Sequence, residues 1–247
     1  MALETGSSTR TARTPRPRPR TAWITRARPA AEATAARVRE LGIEPIVAPL
    51  LEVRPIEGVA LDLAGVSAIA FTSANAVAAF AARSPERGLR VFAVGDATAA
   101  AARAQRFASV LSAQGDVAAL ATALATRRRE LSGAILYPAA AEPAQDLAGA
   151  LGAVGLTVRQ VALYETAVVE PPSELIERLP DIDAVLLHSA KGARALADVL
   201  RAHPAPQLAA FCLSRQVAHA VWPAVLSAVR SAEQPNEAAL MALLAGG

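Results

Sequence analysis

Short continuous apolar stretches rich in β-branched residues alternate along the chain with longer alanine-rich stretches. The apolar stretches predict strands at Trp23–Thr25, Pro45–Val47, Val66–Phe71, Val91–Val94, Ser109–Leu111, Ala134–Tyr137, Val158–Val161, Ala184–His188, Leu208–Leu213 and Leu226–Val229. Most are apolar throughout rather than at every second position, which predicts parallel strands covered on both faces. Helices between them complete α/β units with right-handed crossovers. Two helices have clear punctuation. Pro29 opens the first and Gly42 closes it after Leu41, and Pro143 and Gly155 flank a second that carries Leu147, Leu151 and Val154 on one face. Proline at a helix start and glycine just past its end is the expected asymmetry.

The pattern then repeats. AIAFTSANAVAAF from Ala68 and AVLLHSAKGARAL from Ala184 are each a strand, a serine and a helix, with Ser73 and Ser189 116 residues apart. VFAVGDATAAAA from Val91 resembles AFCLSRQVAHAV from Ala210, and SAQGDVAAL from Ser112 resembles SAEQPNEAAL from Ser231, with Asp116 and Asn236 as N-caps. LGIEPIVAPLL from Leu41 resembles VGLTVRQVALY from Val154. Four echoes in the same order predict two similar α/β domains. The proline- and charge-rich segments Ala48–Gly58 and Tyr164–Ser173 are the expected crossovers between them.

The 247 residues suit two domains, and 53% hydrophobic residues can fill two cores. No apolar run reaches the roughly 18–20 residues of a membrane helix. The net charge of +3 is concentrated in the tail, where Arg10, Arg13, Arg16, Arg18 and Arg20 face Glu4 alone. The remainder holds 20 bases and 21 acids, and the chain has only two tyrosines and two tryptophans to stack on bases. Nucleic acid is therefore not an expected partner. Residues 1–20 lack an apolar segment and carry Pro15, Pro17 and Pro19, which predicts a disordered tail. The single cysteine, Cys212, sits in an apolar run, excludes a disulfide framework and suits a cytoplasmic setting.

In open parallel sheets, ligands bind beyond the carboxyl ends of strands, against helix N-termini. The turns there are Thr72-Ser73-Ala74-Asn75, Gly95-Asp96-Ala97-Thr98, Ser189-Ala190-Lys191-Gly192 and Ser214-Arg215-Gln216. Free backbone N–H groups and a positive dipole end suit an anionic ligand at each. Ser73 and Ser189 are also natural N-caps, and both roles are compatible. The chain has no glycine-rich dinucleotide fingerprint, no phosphate-binding loop and no G-x-S-x-G elbow, and His188, His203 and His219 lack metal spacing. The residues alone therefore suggest a cleft that holds an anion through amides and hydroxyls.

These segments resemble the uroporphyrinogen-III synthase family across roughly residues 22–245. The likeness is carried by ITRARP at Ile24–Pro29, FTSANAV at Phe71–Val77, VFAVGDATA at Val91–Ala99, VALYETA at Val161–Ala167 and HSAKGA at His188–Ala193. It implies two α/β parallel-sheet domains joined by a two-stranded connector. Residues 21–50 with 170–247 build one domain, and 55–165 build the other. It also implies a cofactor-free monomeric enzyme, with no nucleic-acid or membrane partner. The implied substrate is hydroxymethylbilane, a linear tetrapyrrole with eight carboxylates, closed to uroporphyrinogen III with loss of water and inversion of ring D. By the same resemblance Tyr164 donates a hydrogen bond to the departing hydroxyl. Ser73, Asn75, Thr98 and Ser189 bind carboxylates, and Arg26 is a further carboxylate partner. Two turns depart from the family pattern. Leu213-Ser214-Arg215-Gln216-Val217 replaces a Gly-Pro turn followed by threonine, with Ser214 or Arg215 as the substitute for the threonine hydroxyl. Pro138-Ala139-Ala140-Ala141-Glu142 after Tyr137 lacks the usual basic or glycine-containing turn. The alternative is a noncatalytic two-lobed binding or scaffold protein for an anionic small molecule.

Overall fold

The computed structural model describes residues 18–143, 145–222 and 224–246. The disordered tail expected for residues 1–20 therefore lies outside the described residues, apart from Arg18–Arg20. The chain opens with β1 (Thr21–Ile24), α1 (Ala30–Glu40), β2 (Glu44–Val47) and β3 (Leu51–Pro55). It continues through β4 (Val66–Phe71), α2 (Ala74–Ala81), β5 (Arg90–Ala93), α3 (Asp96–Ala104), β6 (Val110–Ser112) and α4 (Val117–Ala125). Next come β7 (Ala134–Ala140), α5 (Leu147–Ala153), β8 (Val158–Val168) and α6 (Ser173–Arg178). It ends with β9 (Ala184–Leu187), α7 (Ala190–Ala202), β10 (Ala209–Cys212), α8 (Arg215–Val221), β11 (Ala228–Ser231) and α9 (Glu237–Ala245).

Two compact units result, one from residues up to 52 together with 168 onward, the other from 53–167. The first holds a five-stranded sheet in the order β11-β10-β9-β1-β2, with every neighbouring pair parallel. The second holds a six-stranded sheet in the order β3-β8-β7-β4-β5-β6, parallel from β8 to β6. The chain changes unit within β3 and again within β8, which are neighbours in that sheet.

Both sheets are covered on two faces, which is why their strands read as unbroken apolar runs. In the first unit Trp23 packs with Val185, Leu187, Leu196 and Val217 on one face. Its neighbours Ala22 and Ile24 pack with Val38, Leu240 and Leu244 on the other. In the second unit Ala68 and Ala70 join Leu120 and Leu151, while Ile69 and Phe71 join Val77 and Phe80. This is the two-residue alternation of a strand with both faces buried. Cys212 is fully buried within the first of these clusters, and burial pushes its thiol up to about 12.

Local signals explain most element ends. Pro29 immediately precedes α1, and Gly42 follows it at φ +74°, a conformation that favours glycine. Asp116 and Asn236 accept the N–H of Ala119 and Ala239 and cap α4 and α9. Gly133 is required by close approach: a β-carbon there would stand 2.2 Å from the Gly65 carbonyl oxygen.

Four expectations need correction. β3 was not among the strands read from the apolar pattern, because its Leu-Glu-Val-Arg-Pro sequence reads as a charged crossover, although the resemblance implied a connector of two strands; it is an edge strand with one buried residue, Leu51. The expected turn Pro138-Ala139-Ala140 is the end of β7. Pro138 lies past the last β4 partner of that strand, the Ile69–Leu136 pair, where a missing N–H is tolerated. β8 runs to Val168 instead of stopping at Val161, so Tyr164 is a strand residue. α5 starts not after Pro143 but at Leu147, because the Asp146 carboxylate caps Gly149 N–H. Among the described residues no helix is long and apolar enough to cross a membrane.

Candidate functional site

In the second unit, β4 ends at Phe71 and α2 begins at Ala74, leaving Thr72 and Ser73 as the turn. Ser73 is extended, at φ −157° and ψ 156°, so its Oγ turns back to accept the Ala76 N–H at 3.1 Å. The same Oγ lies 2.9 Å from the Tyr164 hydroxyl, which β8 brings alongside. The preceding residue points the other way, and Thr72 Oγ1 is 3.5 Å from the Tyr137 hydroxyl on β7. The two phenols thus approach one turn from opposite faces of the sheet, since Tyr164 packs among Phe71, Val77 and Phe80, and Tyr137 among Leu120, Leu147 and Leu151.

All four residues line a cavity of about 280 Å³, together with Asn75 and Thr166. Hydroxyl and amide groups dominate its polar lining, and among the described residues Glu142 is its charged member and no lysine or arginine is part of it. Burial raises the Tyr164 pKa; the Ser73 hydrogen bond opposes that, and the neighbouring Tyr137 adds to it. Tyr164 is therefore protonated at neutral pH and able to donate a hydrogen bond.

The first unit places its own polar groups at strand ends. Ser189, after β9, caps α7 by accepting the Gly192 N–H at 3.1 Å. Ser214, after β10, caps α8 through the Val217 N–H at 3.4 Å. Arg26, after β1, faces Glu237 in the first turn of α9, with Nη1 3.1 Å from Oε2. Glu237 also accepts from Thr34 at 2.7 Å and lies 3.2 Å from His188 Nε2. Burial would raise the Glu237 carboxyl, but the His188 and Thr34 hydrogen bonds, the charge that His188 gains in acid and the charge of Arg26 take it down to about 2. Burial lowers His188 more than its contact with Glu237 raises it, so the ring is neutral in the fold. A neutral ring that donates from Nε2 leaves Nδ1 as a buried acceptor, and that atom has no partner among the described residues.

Of the residues the sequence nominated, Ser73, Asn75 and Tyr164 share one cavity. Thr98 is in the first turn of α3, buried at 6% exposure, and does not line that cavity. Ser189, Ser214 and Arg26 belong to the other unit, and the Arg26 guanidinium already has a carboxylate partner in Glu237. Sequence reasoning did not nominate Thr72, Tyr137, Thr166 or Glu237. One signal was available for Tyr137: it is one of only two tyrosines in the chain, and the other is Tyr164.

Residues 32–242 match the family model described as uroporphyrinogen-III synthase HemD. The chain belongs to the uroporphyrinogen-III synthase family. By family it is a lyase of tetrapyrrole biosynthesis that cyclises hydroxymethylbilane. Solved structures of uroporphyrinogen-III synthases share the fold. The Helicobacter pylori enzyme is 16% identical, with 91% of this chain and 97% of that one covered and a TM-score of 0.61. A mutant Thermus thermophilus enzyme is 18% identical, with 92% and 98% covered and a TM-score of 0.50. No relative matches among curated protein sequences.

Proposed function

We propose that Tyr164, set by Ser73, performs the dehydration step of the uroporphyrinogen-III synthase reaction in this chain. The single observation that carries this reading is the 2.9 Å contact between the two hydroxyls beside the cavity. Ser73 Oγ accepts from the α2 backbone, which leaves its own proton free to point at the Tyr164 oxygen. The phenol proton is then directed to the substrate.

The hydroxymethyl C–O bond breaks, and its electron pair leaves with oxygen. The Tyr164 proton completes water, leaving an azafulvenium cation and a phenolate. Even with its pKa raised, a phenol is a stronger acid than water, so the transfer runs downhill. Ring D attacks the cation through its substituted carbon, and fragmentation and reclosure invert it. The C–H proton that ring D sheds on reclosure restores the phenol, so one water is the only other product. Since uncatalysed closure is facile and gives the uninverted isomer, holding ring D in the correct pose is most of the enzyme's task.

Substrate carboxylates fit the helix N-termini. Ser73 and Asn75 serve in one unit and Ser189 and Ser214 in the other, each with neighbouring amide groups. Thr98 and Arg26 have weaker support, the first because it is buried and the second because Glu237 holds it. On this reading the domains are residues 21–50 with 170–247, and 55–165. The protein is a cytoplasmic monomer without cofactor or nucleic-acid partner. No observation favours the noncatalytic alternative.

The test is a coupled assay. Hydroxymethylbilane is generated enzymatically, the protein is added, and the oxidised products are separated by isomer. Dominant type III product is expected. Type I product alone, equal to a protein-free control, would reject the reading.

A further inference from the structure

The proposed dehydration uses one phenol, yet the cavity is lined by both tyrosines of the chain. Tyr137 has no assignment so far. Its ring is fixed among Leu120, Leu147 and Leu151, and the residue is 2% exposed. Its hydroxyl reaches the cavity end of β7, where its hydrogen-bond partner among the described residues is Thr72 Oγ1 at 3.5 Å, the outer limit of such a bond. A buried phenol normally has a well-made partner. Packing prevents this ring from swinging to find one, so the unfilled capacity faces the cavity. The Tyr164 hydroxyl lines the same cavity from the opposite face of the sheet. Tyr137 is also close enough to disfavour a charge on Tyr164.

The departing oxygen can use both phenols. As the C–O bond lengthens, that oxygen gains electron density and can accept more than one hydrogen bond. Tyr164 supplies one with the proton that is transferred. We propose that Tyr137 is a second catalytic residue, whose hydroxyl donates a hydrogen bond to the departing oxygen and holds the new water. Tyr137 transfers no proton, so the balance of the step is unchanged. The inference rests on the assignment of the cavity to dehydration.

Tyr137→Phe removes only the hydroxyl and leaves the packed ring. Expected is a fall in kcat of about tenfold, with KM within about twofold, as for an interaction made mainly in the transition state. Tyr137→Phe with Tyr164→Phe should lose less than the product of the two single losses, because both groups serve one oxygen. A folded Tyr137→Phe protein with unchanged kcat, or with only a raised KM, would overturn the proposal. If Tyr164→Phe cripples turnover and Tyr137→Phe does not, this inference alone fails. If neither substitution slows turnover, the assignment of the cavity fails with it. A second measurement does not require the Tyr137 variant to fold. With Tyr164→Phe in place, growth on 3-fluorotyrosine labels Tyr137 alone. Its single fluorine resonance should shift when freshly generated hydroxymethylbilane is added, and an unmoved resonance would also overturn the proposal.

Discussion

The Ser73 Oγ and the Tyr164 hydroxyl, 91 positions apart in sequence, stand 2.9 Å from each other where β8 passes the start of α2. The serine has two tasks that substitution separates. Ser73→Ala removes the α2 cap and should cost about 1 kcal/mol of stability. It also frees the Tyr164 hydroxyl to rotate, which should lower kcat several-fold. Tyr164→Phe keeps the cap, should leave the unfolding midpoint nearly unchanged, and should lower kcat by about 100-fold, the low end for a lost general acid. Denaturant melts of both variants, with the isomer-resolved assay, check these outcomes. An unchanged kcat for Tyr164→Phe would remove its leaving-group role.

Ser189 offers a cleaner separation of capping from ligand binding. Aspartate caps a helix as well as serine does, so Ser189→Asp should leave stability within about 0.5 kcal/mol of the parent. The added negative charge would repel a carboxylated substrate at that helix end, raising KM by about tenfold. Steady-state kinetics decide the matter, since a parent-like KM would leave Ser189 as a cap alone.

Acid should weaken the first unit in two stages. His188 is neutral in the fold, held below its ordinary value near 6.5 by burial. The unfolded chain therefore takes up that proton first, and stability begins to fall as pH drops through about 6.5. Glu237, at about 2 rather than 4.5, contributes stability that is complete above pH 4.5 and disappears as pH falls towards 2. That contribution is about 3 kcal/mol at neutral pH. Glu237→Gln should destabilise the protein by about 2–3 kcal/mol at pH 7, because Arg26 loses its partner. The gap between variant and parent should narrow by pH 3. Denaturant titrations at both pH values measure it.

Two glycines should respond oppositely to alanine. Gly133→Ala drives a β-carbon into the Gly65 carbonyl, backbone against backbone, where Ala134 N–H bonds that same oxygen at 2.9 Å. The strand start must shift, at a cost of about 2–4 kcal/mol. Gly152→Ala, inside α5, meets nothing within 4 Å and should gain about 0.5–1 kcal/mol from lost chain entropy. Thermal unfolding of the pair checks both signs.

The architecture was legible because the strands that build each core carry their signal locally. Ala184–Leu187 is apolar at every position and Val66–Phe71 at all but Ser67, and Ser73, Asp116, Ser189 and Asn236 sit where helix caps belong. β3 was not legible, since only Leu51 of its five residues is buried and the rest has the polarity of a loop. The end of β7 was hidden by Pro138, whose lack of an N–H matters only where a neighbouring strand needs one. The candidate site was half legible. Ser73 and Tyr164 stood out through family motifs, whereas Tyr137 lies in an ordinary-looking strand. Its reach into the cavity depends on how β7 is registered against β4 and β8, which no local pattern encodes. The Glu237 cluster gathers Arg26, Thr34 and His188 from distant positions, and only the folded sheet brings them together.

The burial of Cys212 has a practical corollary for experiments on this enzyme. The thiol is fully enclosed and stays protonated at any pH at which the protein would be handled, so maleimide and iodoacetamide reagents should pass it by in the native state. A cysteine introduced at an exposed position would then be the reactive one. Spin labels or fluorophores can be placed site by site on the natural background, without first engineering away the chain's own sulfhydryl.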